Sequence, residues 1–329
     1  MGSPRTSRPR SPSWPPTTPG SSPPPTCWST AASSTASADT SHPGTRRGTE
    51  HMTQSVGVIG LGAMGRPMAE YLVDAGVPTS VLDVDADVRQ QVVERGAKPA
   101  RTLTEIADND VILVVVPSDE DVRTVCLGED GLLSAPRDGS VIVISASVTP
   151  ETCEDIAKAG APHGVSVLDA ALTGGVRGAE SGEINLLVGG DEAVLDRIRP
   201  SLEPWTKAVH HLGPLGSGQV GKTVNNLCHW IQISGVHEAM LLGRRLGVAP
   251  SKLREALLDS PAASRTLAEI DRMRFTWWKK DIDNARKMAE PLGYRMPLTD
   301  LAYDLMPGIT PDRINTLLIQ DLDPDAERE

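Results

Sequence analysis

The chain has 329 residues, 39% of them hydrophobic, and carries 43 acidic against 32 basic side chains for a net charge of −11. That length suits two domains of about 100–200 residues, and the acidic balance excludes a general nucleic-acid surface, which needs a basic face. No stretch approaches the roughly 18–20 unbroken apolar residues of a membrane span, which argues against a membrane protein.

Residues 1–51 hold 10 of the 27 prolines, many serines and threonines and no aliphatic run. Such a segment buries too little apolar surface to offset its ordering entropy and reads as a disordered extension. Its arginines suggest a transit peptide, but the prolines break the amphipathic helix that such peptides need. A start at Met52, or a tag remnant around Gly48-Thr49-Glu50-His51-Met52, is the simpler expectation, and the fold is read from residue 52 onward.

From there, short apolar runs alternate with longer amphipathic ones. Strands are predicted at Val56–Gly60, Thr79–Asp83, Val111–Val116, Val141–Ile144 and Val165–Leu168, with helices at Met64–Ala75, Asp85–Glu94 and Pro150–Ala159. The near-continuous apolar character of the strands is that of a parallel sheet covered on both faces. Further strands are predicted at Ile184–Val188 and Ala208–Leu212 around a helix at Glu192–Leu202. After Gly218 the strand signals stop, and helices are predicted near Gln219–Leu246, Ser251–Leu258, Lys279–Glu290 and Leu298–Leu305. The expected fold is α/β: a Rossmann-type doubly wound sheet over residues 52–215, an all-helical domain over 216–309, and an acidic tail over 310–329. The four cysteines, Cys27, Cys126, Cys153 and Cys228, form no C-x-x-C pair, which fits a reducing compartment such as the cytoplasm and gives no sign of a metal site.

The first strand runs into Gly60-Leu61-Gly62-Ala63-Met64-Gly65, with a helix directly after it. This G-x-G-x-x-G has the strand–turn–helix context of a dinucleotide loop: Gly60 for the tight turn, Gly62 for approach of the pyrophosphate, Gly65 for helix–strand packing. The second strand ends at Asp83, placed to accept hydrogen bonds from a ribose diol and to repel a 2′-phosphate. No arginine follows at once, so NAD is favoured over NADP.

The helical part opens with Gly216-Ser217-Gly218-Gln219-Val220-Gly221-Lys222-Thr223-Val224-Asn225-Asn226. Lys222 and Asn226, four apart, share one helix face. A lysine can take the proton of an alcohol if desolvation and nearby positive charge draw its pKa toward neutrality. Spacing alone leaves an ordinary exposed lysine as the better reading.

The motifs together resemble the β-hydroxyacid dehydrogenases, the family of 3-hydroxyisobutyrate dehydrogenase and tartronate semialdehyde reductase. The resemblance runs from about Gln54 to Met306. It rests on the glycine loop with its following Arg66-Pro67-Met68-Ala69, on Asp169-Ala170-Ala171-Leu172-Thr173-Gly174-Gly175, on the Lys222 stretch, and on Lys280-Asp281-Ile282. It implies that Lys222 is the general acid/base, with Asn226 as its polar partner on the substrate. It also implies that Thr173, Gly174 and Gly175 hold the substrate carboxylate largely through backbone N–H groups. Val116, Pro117 and Ser147 would line the nicotinamide half of the cofactor, and Lys280 would reach the cofactor from the helical domain. The implied partners are a small hydroxy acid or aldehyde and further copies of the chain in a homodimer or homotetramer.

Departures from the family pattern include Ala171 for a usual proline, Thr173 for serine and Tyr71 for asparagine. The stretch from Pro261 to Lys280 is roughly a dozen residues shorter than in the family and brings together Phe275, Trp277 and Trp278. These aromatics, with Trp230, fit pocket walls, helix packing or a dimer contact equally well. The function implied is interconversion of a small 3-hydroxy acid and its semialdehyde. The alternatives are imine or aldehyde reduction, whose imine reductases generally lack the lysine, and a non-catalytic cofactor-binding protein.

Overall fold

The alternation read from the sequence builds a sheet whose central strands are apolar on both faces. The structure, a computed structural model, describes residues 54–319. The expectations for residues 1–51, the start at Met52 and the acidic residues from 320 onward lie outside the described residues. In chain order the first part consists of β1 (Val56–Ile59), α1 (Gly65–Asp74), β2 (Thr79–Leu82), α2 (Ala86–Glu94), β3 (Lys98–Pro99), α3 (Leu103–Ile106), β4 (Val111–Val114), α4 (Asp119–Leu127), β5 (Val141–Ile144) and α5 (Pro150–Gly160). It continues with β6 (Ser166–Thr173), α6 (Gly175–Glu180), β7 (Ile184–Gly189), α7 (Glu192–Leu202) and β8 (Thr206–Gly213).

The eight strands form one sheet in the order β3-β2-β1-β4-β5-β6-β7-β8. Pairing is parallel from β3 through to β6, antiparallel between β6 and β7, and parallel again between β7 and β8. β1, β4 and β5 are wholly buried, as covered parallel strands must be. Two apolar layers form the core, one around Val58, Leu113 and Met68 and the other around Ile112, Ile142 and Ile156 on the opposite face.

Helix starts follow local capping chemistry. The side chains of Asp85, Thr102, Ser118, Thr149 and Asp191 each accept a hydrogen bond from a first-turn backbone N–H, satisfying donors that have no intrahelical partner. The predicted strand at Val165–Leu168 is longer than expected. β6 runs on to Thr173 because antiparallel β7 pairs with it from Asp169 to Thr173, a long-range contact that local pattern does not report.

The helical part comprises α8 (Ser217–Arg245), α9 (Pro250–Leu258), α10 (Arg265–Glu269), α11 (Trp278–Ala289), α12 (Pro297–Leu305) and α13 (Pro311–Ile319). α8 has 29 residues, about 44 Å at 1.5 Å per residue. Its first turns lie on β6 and β7, and its later turns carry the helical core. A β-carbon at Gly218 would collide with the Leu187 carbonyl oxygen, so only glycine lets α8 sit this close to β7. The expected tail from residue 310 needs correction: Pro311–Ile319 is helical, with Ile314 (1% exposed) in the helical core and Leu317 (3% exposed) also buried.

That core also resolves the aromatic cluster. Trp230 (4% exposed), Phe275 and Trp278 pack within it, with Trp230 edge-on to Phe275 and Trp278 edge-on to Tyr303. They are helix packing rather than pocket walls, and Trp277 is 64% exposed. Among the described residues no helix is long and apolar enough to cross a membrane.

Candidate active site

The glycine loop lies between the end of β1 and the start of α1. Gly60 turns with φ +87°, a value L-residues rarely adopt. A β-carbon there would strike the Val115 carbonyl oxygen, and one at Gly65 the carbonyl oxygen of Gly60, whereas at Gly62 nothing lies within 4 Å. The two outer glycines are therefore needed by the protein's own packing, and the middle one faces open space into which a phosphate fits. The loop thus fits a dinucleotide, on a test independent of the motif. Leu61, Ala63 and Met64 complete it, with Leu61 buried and Met64 packed on the core.

Asp83 directly follows β2. Its carboxylate accepts from the Leu61 backbone N–H at 2.5 Å and from Asp85 N at 2.8 Å. The acid is thus tied to the phosphate loop where a ribose would follow. The structure adds Arg89, six residues on and unremarked in the sequence, whose guanidinium donates to the Asp83 carbonyl oxygen at 2.7 Å.

The second group of residues gathers on α8. Lys222, Asn226 and Ser147 line one small cavity together with Gln219, Asp281 and Asn284. Lys222 Nζ donates to the Leu172 carbonyl oxygen at 2.8 Å. Burial pushes the ammonium below the ordinary lysine value, and the Asp281 carboxylate partly offsets that. Asp281 is itself held by the Trp230 indole N–H at 2.9 Å. Thr173, Gly174 and Gly175 come immediately after Leu172. Gly174 and Gly175 have φ of +111° and +64°, while the Thr173 hydroxyl donates to the Asn185 carbonyl oxygen at 3.1 Å. The threonine hydroxyl is therefore engaged with β7 and does not line the Lys222 cavity.

Two residues hold this arrangement in register. Asp169, fully buried on β6, accepts from the backbone N–H groups of Gly216 (2.6 Å) and Gln219 (2.8 Å) at the start of α8. Burial raises its pKa, and those backbone donors counteract the rise. Gln219 accepts from Val148 N at 3.2 Å and donates to the Ala146 carbonyl oxygen at 2.9 Å, which clamps the loop bearing Ser147 onto α8. From the helical side, Lys280 Nζ reaches the Pro117 carbonyl oxygen at 3.4 Å, next to Val116 in the loop after β4. The phosphate loop, Asp83, Val116–Pro117 and Ser147 all follow the carboxyl ends of parallel strands, where ligands bind in doubly wound folds.

Gln219, Asp281, Asn284 and Asp169 were not singled out from the sequence. Asp169, Gln219 and Asp281 lay inside quoted motifs, but the contacts that give them meaning come from other elements.

A dinucleotide loop, a strand-end acid and a desolvated lysine on the junction helix define a nicotinamide-dependent oxidoreductase. Residues 55–213 match the family model described as the NAD binding domain of 6-phosphogluconate dehydrogenase. Residues 216–310 match that described as NAD-binding of NADP-dependent 3-hydroxyisobutyrate dehydrogenase. The chain is 37% identical over 210 residues to 2-(hydroxymethyl)glutarate dehydrogenase of Eubacterium barkeri, covering 64% of this chain and 70% of that protein. It is 32% identical over 261 residues to 2-hydroxy-3-oxopropionate reductase of Escherichia coli, covering 76% and 89%. A solved structure of Mycobacterium tuberculosis 3-hydroxyisobutyrate dehydrogenase with L-serine superposes with a TM-score of 0.71 at 26% identity, covering 78% of this chain and 94% of that one. The chain belongs to the β-hydroxyacid dehydrogenase family, enzymes that act on CH–OH groups with a nicotinamide cofactor.

Proposed function

We propose that the protein oxidises a small 3-hydroxy acid to its semialdehyde, or reduces the semialdehyde, with Lys222 as general acid/base. The observation that carries this is the buried ammonium of Lys222 beside Asn226 and Ser147, with its pKa drawn down by desolvation. The nicotinamide cofactor supplies the hydride acceptor or donor. In oxidation, the neutral Lys222 amine takes the proton from the substrate hydroxyl, and the Leu172 carbonyl receives one of its N–H bonds and fixes its direction. Asn226 orients the same hydroxyl, while the backbone N–H groups of Thr173, Gly174 and Gly175 hold the substrate carboxylate. In reduction the lysine returns the proton. Gly60 to Gly65, Asp83, Val116, Pro117, Ser147 and Lys280 hold the cofactor.

For the cofactor, Asp83 supports NAD through its repulsion of a 2′-phosphate. The guanidinium of Arg89 beside it and the match of residues 216–310 to the model of an NADP-dependent enzyme favour NADP. We assign NAD, and the kcat/KM ratio for the two cofactors tests the assignment: Asp83→Ala should move it toward NADP by about tenfold or more. The leucines of α12, Leu298, Leu301 and Leu305, are 64%, 54% and 39% exposed on one face and support a homodimer or homotetramer built through the helical domain. The free thiols Cys126, Cys153 and Cys228 support a reducing, cytoplasmic setting.

The test follows nicotinamide absorbance of the full chain with either cofactor against a panel of 3-hydroxy acids and their aldehydes, beside Lys222→Ala. Turnover that falls by about 10²–10⁴-fold in the variant is expected for loss of a general acid/base. Cofactor binding without turnover in either direction would sink the assignment.

A further inference from the structure

His229 follows Lys222 by seven residues on α8, so Lys222, Asn226 and His229 share one face of the helix. A helical side chain covers the turn N-terminal to its own backbone, which leans the imidazole back over Asn226. The wall facing it is α10. The Thr266 hydroxyl, itself buried, lies 3.0 Å from His229 Nδ1. Three residues further along α10, Glu269 pairs with Arg177 on α6, the helix that begins at Gly175. His229 therefore stands where the Lys222 face, α10 and the element following the carboxylate-binding glycines converge.

The imidazole is half-buried, and its hydrogen-bonding capacity is only half used. Nδ1 is engaged by Thr266, while Nε2, on the far side of the ring, makes no hydrogen bond among the described residues. Burial favours the neutral ring; the Asp281 carboxylate works against this, and the Lys222 ammonium reinforces it. A neutral imidazole offers one polar atom at Nε2, donor or acceptor according to the tautomer that Thr266 selects.

We propose that His229 is a specificity-determining residue of the substrate site, its Nε2 hydrogen-bonding a hydroxyl carried on the carbon next to the substrate carboxylate. The inference rests on the 3-hydroxy acid reading above. It selects 2,3-dihydroxy acids over 3-hydroxy acids with an alkyl group at that carbon. Discrimination of this kind is strong because a site built to bond a hydroxyl leaves its polar atom unpaired when a methyl takes the hydroxyl's place.

Glycerate and 3-hydroxyisobutyrate differ at that carbon by hydroxyl against methyl, with little change in size. The wild-type enzyme should favour glycerate in kcat/KM. His229→Leu should lower the glycerate-to-3-hydroxyisobutyrate ratio by about tenfold or more, mainly through KM for glycerate. His229→Gln, whose amide can replace the imidazole bond, should keep the ratio within about threefold. An equal loss for both acids in His229→Leu, or no wild-type preference for glycerate, overturns the assignment. Calorimetric binding of the same two acids to the full chain loaded with oxidised cofactor separates this inference from the one beneath it. Glycerate-selective binding that His229→Leu abolishes, without turnover, would keep His229 as the selector and sink the dehydrogenase reading. Turnover without selectivity would do the reverse.

Discussion

At the scale of single residues, the role proposed for Lys222 depends on how its surroundings alter an ordinary side chain. Its ammonium is turned inward onto the Leu172 carbonyl, and desolvation disfavours the charged form while Asp281 supports it. Oxidation needs the neutral amine, so kcat/KM in that direction should rise with pH through a pKa below that of a free lysine. Asp281→Asn removes the support and should move that limb to lower pH; a limb that stays put or moves up would contradict the electrostatic account. The same depressed pKa has a consequence for stability. Below the folded-state pKa the native protein carries a charge that it disfavours, and stability recovers as pH climbs toward the unfolded-state value. Lys222→Met should therefore raise Tm at neutral pH by about 2 °C or more, with the gain fading under alkaline conditions. Lys222 and Asn226 were legible in the sequence because helical spacing alone puts them on one face. Asp281 as a neighbour was not, because α11 reaches α8 only through tertiary packing.

At the scale of elements, the start of α8 is the critical joint. Two unpaired N–H groups of its first turn end on the Asp169 carboxylate, and Gln219 fastens the Ser147 loop to the same turn. Asp169→Asn replaces one acceptor by a donor facing those N–H groups and should cost about 1–3 kcal/mol. The loss should be measurable by denaturant unfolding, with a fall in kcat as Lys222 loses its position. An unfolding midpoint that does not change would show the joint to be held otherwise. The long periodic elements were readable from the sequence, α8 and the apolar strands above all. The two-residue β3 and four-residue α3 were not, being too short to carry a period. α13 escaped notice because the acidic residues beyond it gave the end of the chain the look of a tail, although Ile314, Leu317 and Leu318 mark one apolar face.

At the scale of the whole molecule, two charged surface contacts add to those of α8 in joining the dinucleotide sheet to the helical part. Lys280 bonds the Pro117 carbonyl on the cofactor side, and Arg177 pairs with Glu269 on the other. Both lie at the surface, where such contacts add at most about 1 kcal/mol of stability. On the proposed role of Lys280, Lys280→Met should raise the cofactor KM by about five- to tenfold while leaving Tm within about a degree. A large drop in Tm with KM unchanged would make the contact structural instead.

By itself the sequence determined the order of the long periodic elements, the glycine loop and the Lys222–Asn226 pair, because each is encoded within a few residues by periodicity or turn chemistry. It could not determine that the aromatics near Trp230 fill the helical core, that the Thr173 hydroxyl turns to Asn185, or that His229 and Asp281 flank the lysine. Those were decided by the tertiary structure, since each depends on a partner at least 12 residues away whose approach is set by packing.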